Sequence, residues 1–575
     1  MPIHKSLSLA FLLFFLPFLS SSHATISSAT AGLPEAEALL KWKATLFPSQ
    51  ALHSWLLPAT NATTNTISRC KWIGISCNSL GSVTEIILPS AGLQGKLDNL
   101  SFPSFPNLVH LNLSGNTLTG TIPTHIGTLH KLMSLDLSAN NLSGILPLSM
   151  ANLSHISELD ISSNEIRGEV APIFFTNWTK LISLRLQYNQ LTGNIPSEIR
   201  LLTNLQILYL GGNKINGSTP VEIGNLVNLN ELVLSINHLD GSIPSTLGNL
   251  SMLTILSLHE NQISGRIPAE LGNLKSLVQT SLRSNNVSGP IPPALGNLTN
   301  LRLLFLYGNQ ISGSIPPQFG NLINLDKLDL SNNTLTGSIP FILGNLTKLT
   351  VLSLFQNQIS GSIPPELGNL MTLNKLSLYN NNLSCSIPPA LGNLSMVTIL
   401  YLSKNQFSGT IPAELGNLKN LVELMLYQNN LTGRIPPDLG SIPSTLGNLT
   451  KLTVLNLFQN QISGSIPPEI RNLVNLKVLD MSYSLLTEMT NMTNLSKFYL
   501  SGNNFFGYLP QLCQGAEIPK GFRNCTSLTR VRLNGNRLAA NVSEAFGVYP
   551  HLSFMMSATI CCLVNSHQIG ENAEL

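Results

Sequence analysis

From Val83 onward the apolar and polar positions follow one arrangement, L-x-x-L-x-L-x-x-N-x-L-x-G-x-I-P, usually continued by x-x-L-G-N-L; residues 301–316 and 349–364 are two clear copies. The alternating L-x-L stretch predicts a short strand with its leucines on one face and the residues between them on the other. The invariant-looking Asn falls at the bend that follows. An amide cannot be buried without partners, so this position predicts hydrogen bonds to a neighbouring copy, repeated as a ladder. Gly relieves the tight turn beyond it, and Pro fixes φ on the return path. One copy cannot cover its own leucines, whereas stacked copies can. The pattern therefore predicts an α/β solenoid with one long core.

The marker Asn recurs fourteen times from Asn116 to Asn429, every 24 residues except for 25 between Asn164 and Asn189. Counting weaker copies gives around nineteen coils, the first at 83–93 with Ala91 in the Asn position. At ~4.8 Å per strand, such a stack has an inner arc of roughly 90 Å. Three places break the phase. Asn429 to Asn460 is 31 residues, which reads as two coils fused with 17 residues missing. Ser484 stands where Asn belongs, and Asn503 follows after only 19 residues. Asn503 to Asn536 is 33 residues, again two coils with one strand lost.

Composition narrows the function classes. Only 10% of the 575 residues are charged, against about 25% in ordinary soluble chains. Lys plus Arg number 31 and Asp plus Glu 28, a net charge of +3, which gives no electrostatic reason to expect nucleic acid as a partner. His4 and Lys5, the apolar run 7–19, and Ser22 with Ala24 read as a secretory signal cleaved after Ala24. The run 554–564 is too short to span a bilayer, so the sequence as written has no membrane span and reads as secreted. No His/Cys cluster has metal-ligand spacing, no cofactor is implied, and no Ser/His/Asp set or paired carboxylates stand out for catalysis.

Two segments bring in a resemblance. The repeat, with its G-x-I-P half, resembles the plant-type extracellular leucine-rich repeat. Residues 34–46, PEAEALLKWKATL, read as an amphipathic helix, and 70–77, CKWIGISC, match the C-x-W-x-G-[IV]-x-C motif of the cap that precedes such arrays. Together they resemble the ectodomain of a plant leucine-rich-repeat receptor kinase, most closely the male-discoverer-interacting receptor kinase group, which 524–533 and 546–552 echo distally. The resemblance implies a plant-type leucine-rich-repeat superhelix with a helical, disulfide-stapled cap, Cys70 pairing with Cys77. The expected organisation is signal 1–24, cap 25–82, array 83–511, irregular distal repeats 512–552 and an aberrant tail 553–575. The resembling receptors continue into a membrane helix and a kinase. The sequence carries no glycine-rich phosphate loop, HRD or DFG, so the expectation is a truncated receptor with no enzyme activity of its own. Cys513 and Cys525 form a weaker candidate pair. Cys385, in place of a repeat Gly, is expected as a free, partly buried thiol, and Cys561 and Cys562 have no assigned role.

The same resemblance implies recognition of a secreted peptide along the concave face, with a shorter leucine-rich-repeat coreceptor kinase as second partner. It places the protein in the apoplast, or at the plasma membrane if a full receptor is the product. The candidate residues are the outward positions beside the leucines: Tyr188, Tyr209, Phe305, Tyr307, Phe355, Tyr379, Tyr401, Tyr427 and Phe458, with Arg185, His259 and Arg283. The competing reading of those rings is lateral packing on the ladder alone. Arg530 and Arg532 share a strand face and could hold a peptide carboxylate, as the resemblance suggests, or form a solvated strand face. Twenty N-x-[ST] sequons occur, among them Asn61, Asn99, Asn112, Asn141, Asn177, Asn216, Asn297, Asn345 and Asn541. Glycans there are expected on the convex and lateral faces. The alternative function is a secreted inhibitor of microbial pectinases, resembling the polygalacturonase-inhibiting proteins.

Overall fold

The computed structural model describes residues 33–56, 69–432, 442–488, 495–503, 527–532, 534 and 551–556. The signal 1–24, Asn61, Asn541, Asn536, Cys513, Cys525, Cys561 and Cys562 lie outside them.

The cap opens with the helix Leu33–Lys43, which ends three residues before the expected boundary. Ala36, Leu39 and Trp42 are fully buried, and the Trp42 indole donates to the Lys96 carbonyl at 3.1 Å. Glu35 is buried too. Its carboxylate accepts from Arg69 Nε at 2.9 Å and from the Val83 amide, so the charge enters the cap already partnered. Cys70 and Cys77 form the expected disulfide, and Trp72 between them stacks on Trp55 at 5.7 Å. These contacts cover the first coil's leucines, which would otherwise be an exposed apolar end.

Beyond the cap the strands join one 21-stranded sheet. Only the first, Ile75–Cys77, runs antiparallel, to Val83–Ile87; its successors pair in parallel and in register, as in Ser183↔Ile207 and Leu184↔Leu208. The central leucines, such as Leu184, Leu208 and Leu232, are fully buried, while the residues on either side face out. One coil returns through the short α-helix Pro172–Asn177, whereas most described coils return through a one-turn 3-10 helix, for example Pro293–Asn297. Gly296 ends that turn against the next coil, where a Cβ would lie 2.4 Å from the Gln318 carbonyl. The leucine-rich-repeat solenoid is thus the observed fold.

The Asn ladder has the bonds the pattern predicts. Asn285 Nδ2 donates to Leu258 O at 3.0 Å in the preceding coil and to Leu282 O at 3.1 Å in its own, while its Oδ1 accepts from the Ile263 amide at 3.0 Å. None of the three phase breaks interrupts the sheet: Val478–Asp480 pairs with Lys497–Tyr499, and that strand pairs with Arg530–Arg532. Glu423–Met425 pairs directly with Val454–Asn456, and Asn460 bonds to Leu426 O and the Leu431 amide. Asn429 to Asn460 thus places no further strand between those two, as a fusion of two coils with one strand missing requires. At Ser484 the substitution has a cost, because the shorter side chain leaves its Oγ buried without a partner.

Cys385 differs from expectation. It is free but exposed, and its φ of +66° keeps the left-handed turn of the glycine it replaces, which in neighbouring coils has φ +77° (Gly361) and +75° (Gly409). That conformation costs an L side chain about 1–2 kcal/mol.

Two predictions follow from the backbone. Asn285→Ala leaves the Ile263 amide unpaired and removes one of the two amide donors from each of the Leu258 and Leu282 carbonyls, which keep Asn261 and Asn309, and should destabilise the array by about 2 kcal/mol in urea denaturation; a loss below ~0.5 kcal/mol would mean the amide is dispensable. Cys385→Gly should raise stability by about 1 kcal/mol, whereas an unchanged melting temperature would remove strain as the explanation.

Candidate ligand-binding face

The outward positions of the long sheet form continuous rows, because parallel in-register pairing sets equivalent residues side by side ~4.8 Å apart. None of the named rings turns into the core. Tyr209, Phe305 and Tyr401 end their strands, and Tyr307, Phe355, Tyr379, Tyr427 and Phe458 lie two residues beyond that position; all are half-buried on the open face. Tyr188 differs. It occupies the position just before the marker Asn, has φ +56°, and is 61% exposed, its ring lying over Gly212 of the next coil.

The rings pack laterally and also remain accessible. Phe355 stacks on Tyr379 at 4.6 Å, and Tyr379 meets Tyr401 edge-on at 6.4 Å. Phe458 meets Tyr483 edge-on at 5.6 Å. Charged groups hold other rings in place. Arg185 lies 5.1 Å from the Tyr209 ring, and Arg283 lies 5.6 Å from Tyr307 while pairing with Glu260 at 2.6 Å. The Tyr209 hydroxyl donates to Glu231. Burial and that acceptor together push its pKa up to about 12. Tyr401 donates likewise to Glu423, and burial followed by the same kind of acceptor raises it strongly.

Polar residues on the face are similarly fixed. Asp329 accepts from the Ser331 amide and hydroxyl; burial raises its pKa, and the two Ser331 bonds oppose the shift. His259 bonds Ser257 Oγ at 2.8 Å. Burial and then Arg283 hold it below the ordinary 6.5, against the pull of Glu260. At the distal end Arg530 and Arg532 do share one face and are exposed, as their spacing predicts. Arg532 is sandwiched between the rings of Tyr499 at 5.3 Å and Phe554 at 5.5 Å.

The sequons divide. Asn99, Asn141, Asn216, Asn297 and Asn345 are exposed. Asn177 is exposed but donates its amide to Ala151 O at 3.2 Å. Asn112 departs from the expected convex or lateral placement: it is half-buried in the strand His110–Asn112, and its Oδ1 accepts from the Ser114 amide and hydroxyl. Among the described residues there is no group of three potential metal ligands and no helix long and apolar enough to cross a membrane.

Two features escaped the sequence reading. One is the left-handed backbone before each marker Asn, which Ile236, Glu260 and Gln356 also adopt. The other is a second amide ladder on the lateral edge, where Asn204, Asn228, Asn300 and Asn324 each donate at 2.9 Å to a carbonyl of the preceding coil. The recurring N-L of 204–205 and equivalent segments carried that signal.

Family comparisons agree with this geometry. A leucine rich repeat N-terminal domain matches residues 33–78, a leucine-rich repeat region matches 282–431, and further leucine rich repeats match 106–166 and 450–491. A plant peptide hormone receptor, RGFR1 in complex with RGF2, is 31% identical with a TM-score of 0.68, covering 86% of this chain and 92% of that one. The Arabidopsis receptor kinase HAESA, in complex with the peptide hormone IDA and the co-receptor SERK1, is 28% identical with a TM-score of 0.65, covering 92% of this chain and 90% of that one. A probable leucine-rich repeat receptor-like protein kinase of Arabidopsis thaliana is 44% identical over 114 residues, 20% of this chain and 10% of its own length. MDIS1-interacting receptor like kinase 2 of Arabidopsis thaliana is 39% identical over 109 residues, 18% of this chain and 10% of its own length. The match thus spans about a tenth of these two curated relatives. The chain belongs to the plant leucine-rich-repeat receptor-like kinase family and is ectodomain-like, with an N-terminal cap and its repeats.

His259 gives a pH prediction. The unfolded imidazole takes up a proton near its ordinary value of 6.5, and the folded one only at lower pH, so the unfolded state binds more protons in that window. Stability should therefore fall as pH drops through 6.5. His259→Gln should reduce the loss between pH 7.5 and 5 in urea denaturation, and an unchanged loss would exclude a contribution from this side chain.

Proposed function

We propose that this protein is the recognition part of a cell-surface receptor, and that the open face of the long sheet binds a secreted peptide. The observation that carries this reading is the unbroken run of half-buried rings and fixed charges across the sheet. Tyr307, Phe355, Tyr379, Tyr401, Tyr427 and Phe458 lie over about seven consecutive coils, and each keeps an accessible surface. Half-buried rings lose little side-chain freedom on contact, so they contribute area at low entropic cost. Arg185, Arg283 and His259 supply hydrogen-bond donors along the same path, and Arg530 with Arg532 a cationic end suited to a carboxylate.

The similarity to RGFR1 with RGF2 and to HAESA with IDA and SERK1 supports a peptide as ligand and a second receptor as partner. Among plant receptor groups we favour the male-discoverer-interacting receptor kinase group, in keeping with the match to MDIS1-interacting receptor like kinase 2. The residues from the cap to the distal strands supply recognition, and phosphorylation belongs to a kinase domain acting on the other side of a membrane. The sequons fit an extracellular, glycosylated protein.

Titration of pooled secreted plant peptides against the purified chain should give saturable binding. Phe355→Ala should weaken it at least tenfold without changing the thermal melt, as expected for an aromatic anchor worth about 1.4 kcal/mol or more. Binding that survives substitution of Phe355, Tyr379 and Tyr401 together would place the ligand elsewhere.

A further inference from the structure

The open face carries a two-coil period that the 24-residue repeat conceals. Eleven residues that open consecutive strands lie side by side in strict register, from Ile207 to Val454. They alternate without exception. Ile207, Ile255, Leu303, Val351, Ile399 and Val454 are aliphatic and half-buried. Between them stand Glu231, Gln279, Lys327, Lys375 and Glu423. Each of the six aliphatic coils also carries a ring on the open face: Tyr209, His259, Phe305 with Tyr307, Phe355, Tyr401 and Phe458. Of the polar coils between them, only those of Tyr379 and Tyr427 do. The face is therefore corrugated into apolar, aromatic rungs two strands apart, or ~9.6 Å, with polar rungs between.

We propose that the ligand is a proline-bearing segment in the polyproline II conformation, lying across the strands with an apolar residue at every third position. This rests on the peptide reading above and narrows it. A polyproline II helix has three residues per turn and ~3.1 Å rise, so the same face returns every ~9.3 Å. An extended β-strand covers ~9.9 Å in three residues but turns alternate side chains to opposite faces, so its third residue points away. An α-helix returns a residue to one face after seven positions, ~10.5 Å. Over five rung intervals the polyproline II mismatch is about 1.5 Å, and that of the α-helix about 4.5 Å. Aromatic-lined grooves are also the surfaces on which preformed proline helices dock at low entropic cost.

Charge adds a second constraint on the same ligand. Glu231 and Glu423 are engaged by the Tyr209 and Tyr401 hydroxyls. Among the described residues the ion pairs in direct contact are Glu35–Arg69 and Glu260–Arg283; Lys327 and Lys375 are in neither, although the charge of Lys375 acts on the Asp329 carboxyl. They stand one rung interval apart. Acidic side chains three residues apart in the ligand would meet both.

The test uses fluorescein-labelled eighteen-residue peptides of one composition (Pro, Ala, Ser and Asp), titrated against the intact chain by anisotropy. In one the prolines recur every third position; in the other the same prolines are spaced irregularly. The regular peptide should bind at least tenfold more tightly. Val351→Lys, which puts a charge on an apolar rung, should abolish that preference, and Gln279→Lys, on a polar rung, should keep it, with both variants melting like the parent. Equal affinity for the two peptides, alongside saturable binding of a random-sequence pool to the same face, would overturn the spacing and leave peptide recognition standing. Absence of saturable binding by every peptide would overturn both.

Discussion

In-register stacking of identical coils is the constraint on which everything else depends. A strand of three residues cannot stand alone, and a single coil cannot bury its own leucines. Each becomes stable only when a neighbour of the same length supplies the missing surface. The marker Asn enforces that match, because its amide bonds simultaneously to its own coil and to the one before it. A coil of the wrong length would leave these groups unpaired in the core. This explains why the 31-residue interval before Asn460 keeps its strand pairing and its ladder bonds.

The same constraint organises the open face. Because the interior fixes the register, each outward position becomes a row running the length of the stack. The side chains on these rows can vary without affecting the core, yet their spacing is set by it. Rings are held by stacking or by a neighbouring charge, as Phe355 is by Tyr379 and Tyr209 by Arg185. The face is then a preorganised surface, with polar groups such as Asp329 and His259 bonded within it. The strong interactions are spent on rigidity and the apolar area remains accessible, which is what the proposed binding requires.

Most of the fold was legible in the sequence. The 24-residue recurrence of Asn and the L-x-L alternation each name a physical requirement that few other arrangements meet, and the disulfide in CKWIGISC is the one its resemblance to the family's cap motif implied. What stayed hidden depends on neighbours or on backbone angle. The positive φ of Cys385 and of Tyr188 is a backbone angle the letters do not display. That Asn112 faces the sheet's open side follows from its place in a strand, which the sequon alone does not reveal. The alternation of Ile255, Gln279, Leu303 and Lys327 was present in the letters, but it acquired meaning only once pairing showed that these residues touch in one row.

The central claim is that the open face of the long sheet, with its rings and alternating rungs, is where the ligand lies. The most direct measurement is an experimental structure of the chain with the peptide that binds it most tightly. The account predicts density running across the strands between Ile207 and Val454, in contact with Phe355 and Tyr401. Density confined to the 3-10 turns on the opposite side, with this face empty, would contradict it.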